Sequence, residues 1–201
     1  MTAGQGDELE RPNAARIYDY FLGGAQNFTT DRAAAEHVLD NYPDAALAAR
    51  ANRAFLRRAI AYLAGQGITQ FLDIGSGLPT VGNVHEVARQ VNPRARIVYV
   101  DNDPVAVRYS RELLVEEGAG ARGVSVIEAD LRDPAAILGH PTARRLLDLR
   151  RPIGLLLVAV LHFIPDDDEA LGAVRDLTAA LPAGSYMVIS HGTYWTRPHD
   201  R

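Results

Sequence analysis

The rhythm of apolar and polar positions changes at about residue 66. Before it, apolar residues recur at helical spacing; after it, short apolar runs alternate with helical stretches. The spacing predicts a helix from about Asn13 to Leu22, stopped by Gly23-Gly24, where left-handed backbone costs nothing. A second helix begins near Thr30-Asp31 and runs to about Asp40. Pro43 suits the first turn of a long third helix that ends near Ala64. In that helix Leu47, Ala51, Phe55 and Tyr62 share an apolar face, while Arg50, Arg53 and Arg57 line another, expected to be solvated.

Strands are predicted over Gln70–Ile74, Arg96–Val100, Val124–Glu128, Ile153–Val160 and Tyr186–Ser190. The fourth is apolar on both faces and is expected to be central. After the first strand a Gly-rich turn leads into a helix to about Val91. Asp103-Pro104 and Asp133-Pro134 each supply an N-cap followed by proline at the first helical position. Asp166, with Glu169 three residues on, reads as a capping box. Strands alternating with helices predict a parallel sheet with right-handed crossovers. The expected organisation is a flexible tail over 1–11, a helical cap over 12–66, an α/β cofactor-binding domain over 67–191 and a polar tail over 192–201.

Composition narrows the chemistry. With 201 residues the chain fits one domain. A net charge of -4 gives no reason to expect nucleic acid, which asks for a basic face. There is no cysteine, so disulfides and thiolate catalysis are excluded. All 21 basic residues are arginine, which excludes a lysine Schiff base or a P-loop lysine. The six histidines form no H-x-x-x-H pair, and no metal site is expected. Met1 to Arg11 lacks the apolar core of a signal peptide, and the longest apolar run, Ile153 to Ile164, is too short to cross a bilayer. No membrane partner and a cytoplasmic location are expected.

In open parallel sheets, ligands bind at the carboxyl ends of the strands. The first strand ends in Asp73-Ile74-Gly75-Ser76-Gly77, whose glycines let the backbone approach a ligand. The second ends in Asp101-Asn102, suited to ribose hydroxyls; Ala129-Asp130-Leu131 after the third offers an acid and an N–H for an adenine edge. The fourth ends in Val158-Ala159-Val160-Leu161-His162. Each element is weak alone, and Asp103 reads as a helix cap. Together and in order they make an adenosine site. A dinucleotide site expects G-x-G-x-x-G, whereas here the glycine after Gly77 is Gly82. The acid-rich lining suits a ligand carrying a sulfonium and an ammonium better than one carrying two phosphates.

Asp73 to Gly77, Asp101, Asp130-Leu131 and Val160-Leu161-His162 resemble the ordered motifs of Rossmann-like S-adenosylmethionine-dependent methyltransferases. The segment Arg16-Ile17-Tyr18-Asp19-Tyr20-Phe21-Leu22-Gly23-Gly24, with Asn27-Phe28 and Asp31-Arg32, is similar to that of an actinobacterial S-adenosyl methyltransferase family. The resemblance implies a Rossmann-like methyltransferase fold with strand order 3-2-1-4-5 and S-adenosylmethionine as cofactor. It implies that Asp73, Gly75, Ser76 and Gly77 meet the methionine moiety, Asp101 and Asn102 the ribose, and Asp130 with Leu131 the adenine. The Ala159 carbonyl would take the ammonium. Arg16, Tyr18 and Gly24 would fold over the cofactor, an arginine pairing with its carboxylate.

His162 is the candidate general base, ahead of His191, although both also fit packing roles. Tyr20 reads as a packing aromatic. Such domains usually continue with a C-terminal antiparallel strand pair, which this sequence lacks. The fifth strand is therefore expected to be an open edge, available for pairing with another chain. Three functions follow: methyl transfer to a small-molecule acceptor, S-adenosylmethionine binding by a regulator without transfer, and nucleotide-dependent oxidoreduction, which the glycine spacing disfavours.

Overall fold

A computed structural model describes residues 11–78, 82–116, 118 and 123–192. Most of both expected tails, over 1–10 and 193–201, therefore lies outside the described residues. Among the described residues three helices come first: α1 (Ala14–Leu22), α2 (Thr29–Asn41) and α3 (Ala45–Gly65). The α/β part follows as β1 (Gln70–Ile74), α4 (Val84–Val91), β2 (Arg96–Asp101), α5 (Pro104–Glu116) and β3 (Val124–Glu128). It continues with α6 (Pro134–Gly139), α7 (Pro141–Leu146), β4 (Gly154–Val158), α8 (Asp167–Ala180) and β5 (Tyr186–Ser190). A 3₁₀ turn over Leu161–Phe163 follows β4.

The strands form one parallel sheet ordered β3-β2-β1-β4-β5, as expected. Alternation along each strand divides the apolar side chains between its faces. Phe71, Ile97, Tyr99, Val126, Leu156 and Val188 pack with Leu56, Ile60 and Leu63 of α3, Val87 of α4 and Val107 of α5. Leu72, Ile74, Val98, Val100, Ile127, Leu155 and Leu157 pack on the other side with Ile137 of α6, Ala143 of α7 and Leu177 of α8. The result is three layers, with the sheet buried on both faces and every strand's carboxyl end at one edge. Among the described residues no helix is long and apolar enough to cross a membrane.

Several boundaries and one face differ from the expectation. On α3 the buried residues are Ala49, Leu56, Ile60, Leu63 and Ala64, while Leu47 and Tyr62 are exposed. Both stripes are apolar; the sheet selects the one that meets Phe71 and Leu156. Pro43 precedes α3 rather than opening it, and α2 starts at Thr29, which puts Asp31 in its first turn. Asp103 does cap α5: its Oδ1 accepts the Val105 N–H at 2.8 Å. β4 ends at Val158, two residues early, because Ala159 adopts a left-handed φ of 56°. Among the described strands β5 pairs with β4 alone; the residues that follow Gly192 lie outside the described ones.

The cap is held by a buried charge pair. Arg16 Nε lies 2.7 Å from Asp31 Oδ2, with both side chains almost wholly inaccessible. Asp31 also accepts the Asn13 N–H at 2.9 Å and the Phe28 N–H at 2.8 Å, so one carboxylate ties the starts of α1 and α2 together. Removing one member of a buried pair strands the other's charge. Asp31→Ala is therefore expected to lower stability by about 3–5 kcal/mol, read from urea unfolding midpoints.

Candidate functional site

The loop after β1 is built around two glycines in left-handed conformation, Gly75 at φ 72° and Gly77 at φ 62°. The Gly75 and Ser76 N–H groups both donate to the Val100 carbonyl of β2, at 2.8 and 3.1 Å. A Cβ on Gly75 would stand 2.2 Å from Val160 Cγ2, so only glycine fits against the segment leaving β4. The end of β2 secures the loop from the other side. Asp101 accepts the Gly77 N–H at 2.7 Å and the Asp103 N–H at 3.0 Å. These two bonds leave acceptor capacity on a carboxylate that has about four lone-pair sites. Burial raises the Asp101 pKa above the ordinary carboxylate range, partly offset by those same N–H bonds.

Asp73 is buried in β1, and desolvation lifts its pKa to about 7, against the attraction of Arg53 and with a further push from Asp101. Asp73, Ser76 and Gly77 line a narrow cleft with Arg53 and Asn83. Ser76 Oγ is buried there with no hydrogen-bond partner. A buried acid and an orphaned hydroxyl beside glycine backbone fit the ammonium-bearing end of an amino-acid moiety.

The third strand's site is more exposed. Asp130 is gripped by Arg132, whose Nε and Nη2 approach its two oxygens at 3.0 and 2.6 Å. That pairing holds the Asp130 pKa down to about 2. Asn102 Nδ2 reaches the same carboxylate at 3.5 Å, which joins the ends of β2 and β3. Leu131, by contrast, is buried in the core.

At the end of β4, Ala159 is the one non-glycine residue with positive φ among the described residues. Backbone held this way is strained unless its surroundings fix it. Here the fixing partner is Ser190 of β5, whose carbonyl and Oγ both accept the Ala159 N–H at 3.0 Å. Ser190 Oγ in turn donates to Asn52 Oδ1 at 2.6 Å. Asn52 Nδ2 then donates to the Tyr18 hydroxyl at 3.0 Å, and Tyr18 donates to the Ala49 carbonyl at 3.1 Å. His162 sits just beyond, its ring 5.6 Å from that of His191 and 4.5 Å from that of Phe163. Burial, and secondarily His191, lower its pKa, which favours the neutral imidazole.

The structure thus gathers Gly75, Ser76, Gly77, Asp101, Asn102, Asp130 and Ala159 along the carboxyl edge of the sheet. Two expected residues are engaged elsewhere. Arg16 is spent on Asp31 and on the Arg11 carbonyl at 2.7 Å, so turning it to a ligand would break a buried ion pair. The Tyr18 hydroxyl belongs to the relay that supports Ala159. Gly24 instead lines an adjoining cavity of about 530 Å³ beneath α1, together with Asp19, Arg50, Arg53, Arg57 and Glu86. Arg50 and Arg57 are exposed, as expected of a solvated face, while Arg53 is half-buried. Their i, i+3, i+7 spacing was the available signal.

A parallel sheet in this order, with a D-x-G-x-G turn and acids at the next strand ends, defines a Rossmann-like methyltransferase. The chain belongs to the S-adenosyl methyltransferase family, whose model matches residues 3–201. It is similar to a DUF574-family protein of known structure from Streptomyces avermitilis, with 44% identity and a TM-score of 0.85 over 90% of this chain and 69% of that one. It is equally similar to a candidate methyltransferase from Thermobifida fusca, with 44% identity and a TM-score of 0.82 over 94% of this chain and 70% of that one. No curated protein matches it.

The pKa of Asp73 has a consequence for stability. Between about pH 4 and 7 the folded chain keeps a proton that the unfolded chain has lost. Stability should therefore fall as pH rises through that range and level off above about 7. The slope from this one group is at most about 1.4 kcal/mol per pH unit. Asp73→Asn should flatten it in urea unfolding measured across pH.

Proposed function

We propose that this methyltransferase uses S-adenosylmethionine to methylate a small-molecule acceptor in the cytoplasm. The observation that carries the reading is Asp101, which secures the glycine turn and still has lone pairs free at the sheet edge. Gly75, Ser76 and Gly77 would hold the methionine moiety, with Asp73 ionised against its ammonium. Asp101 and Asn102 would take the ribose hydroxyls, and Asp130 with the Leu131 N–H the adenine. The Ala159 carbonyl, held in place by Ser190, would also face the ammonium. Tyr18 and Arg16 would act by positioning: Tyr18 through Asn52 and Ser190, Arg16 by securing the cap. Gly24 would contribute its backbone to the wall of the adjoining cavity.

When bound, S-adenosylmethionine supplies a methyl carbon already activated by its sulfonium. The protein's part is to align the acceptor and exclude water. His162, half-buried just past β4 with burial favouring its neutral form, would accept a proton from the acceptor. A dinucleotide is disfavoured because its phosphates would meet the Asp73 and Asp101 carboxylates.

Calorimetric titration with S-adenosylmethionine, S-adenosylhomocysteine and NADH tests the cofactor. Asp101→Ala should weaken binding of both adenosyl ligands by about 1–3 kcal/mol. Unchanged affinity would show the ribose to be elsewhere, and binding of NADH alone would point to an oxidoreductase. Tight binding without turnover on any acceptor would favour a regulator. His162→Gln should lower S-adenosylhomocysteine release by about 10²-fold or more, with cofactor affinity preserved.

A further inference from the structure

The cavity beneath α1 combines unpaired positive charge with a path to the glycine turn. Arg50, Arg53 and Arg57 stand at i, i+3 and i+7 on α3 and all line it. Arg50 and Arg57 make no hydrogen bond or ion pair with any described residue. Arg53 is half-buried, with its carbon Cζ 5.9 Å from the centre of the Tyr18 ring. Its Nε is buried without a partner. An unsatisfied guanidinium N–H away from water is costly, and an acceptor relieves it.

The two acids on the same walls do not serve these arginines. Asp19 accepts the Gln26 N–H at 2.8 Å and Asn27 Nδ2 at 2.9 Å. Glu86 accepts the Gly82 and Asn83 N–H groups, each at 2.8 Å, as the box that starts α4. Three guanidinium groups therefore outnumber two carboxylates that are already engaged. A volume of about 530 Å³ is that of a small-molecule site. Arg53 and Asn83 line both this cavity and the cleft of Asp73, Ser76 and Gly77, so the two spaces adjoin.

We infer that this cavity recognises an anionic group, a carboxylate or a phosphate, on the methyl acceptor, with Arg50, Arg53 and Arg57 as its binding residues. The acceptor assignment rests on the methyltransferase reading of the adjoining cleft. The charged end of the substrate would be clamped under α1, leaving its remainder directed toward the glycine turn. Guanidinium groups suit this task because their fork of donors matches both oxyanions.

The test follows the Arg53 Nε–Hε resonance by NMR, assigned through its loss in Arg53→Gln. Inorganic phosphate and citrate are titrated separately into protein saturated with S-adenosylhomocysteine. A saturable shift is expected, and the stronger-binding anion identifies the chemistry. The double substitution Arg50→Gln, Arg57→Gln should weaken that binding about tenfold while leaving S-adenosylhomocysteine affinity unchanged. Absence of a saturable shift with either anion would overturn the inference. So would a shift seen in the free protein but abolished by S-adenosylhomocysteine, which would mark the arginines as ligands of the cofactor carboxylate. Failure of S-adenosylhomocysteine to bind would overturn the cofactor reading, and with it the acceptor assignment. A saturable shift in the free protein would then still uphold the anion site.

Discussion

Asp101 accepts the N–H of Gly77 and that of Asp103, and from this carboxylate a chain of polar contacts runs into the helical cap. Asp103 is hydrogen-bonded to the Asn13 side chain. Asn13 caps α1 through the Ala15 and Arg16 N–H groups, and its own N–H reaches Asp31, the partner of Arg16. The glycine turn, the end of β2 and the starts of α1 and α2 are thus one connected network. Its members are buried or half-buried, where an unmade bond is costly and a complete network gives a single arrangement. The cap is part of the machinery that shapes the site.

A second network braces the other side of the same edge. Ala159 in left-handed conformation is held by Ser190 of β5, and Ser190 is held in turn by Asn52 of α3 and Tyr18 of α1. The two left-handed positions, Gly75 and Ala159, directly follow the neighbouring strands β1 and β4, and only the second is strained. The first leaves room for Val160, which follows the second. The strain at this edge is balanced by bonds from residues far away in the chain.

The cap also creates the cavity. With α1 packed beside α3, the arginine stripe, still exposed at Arg50 and Arg57, forms one wall of an open cavity that Gly23 and Gly24 also line. A Cβ at Gly24 would stand 1.9 Å from Asp19 Oδ1, so the close return of the chain over the Asp19 side chain requires glycine there. The glycine pair that ends α1 therefore also shapes the space below it.

The strands and the helices between them were legible because short apolar runs and period-3.6 patterns are local and the sheet is buried on both faces, whereas the strand order came only through the family resemblance. The strand-end motifs were legible for a related reason: in a parallel sheet every strand's carboxyl end must lie at one edge, so residues distant in sequence are adjacent by topology alone. Which stripe of α3 faces inward was not legible, since Leu47, Phe55 and Tyr62 offer a largely apolar face beside that of Leu56 and Ile60 and only the opposing sheet selects between them. Nor was the fate of the charges. Arg16 and Arg53 are alike in the sequence, yet one is neutralised by Asp31 and the other faces a cavity. A guanidinium's role depends on which carboxylate comes within about 3 Å of it, and that is a property of the packed cap.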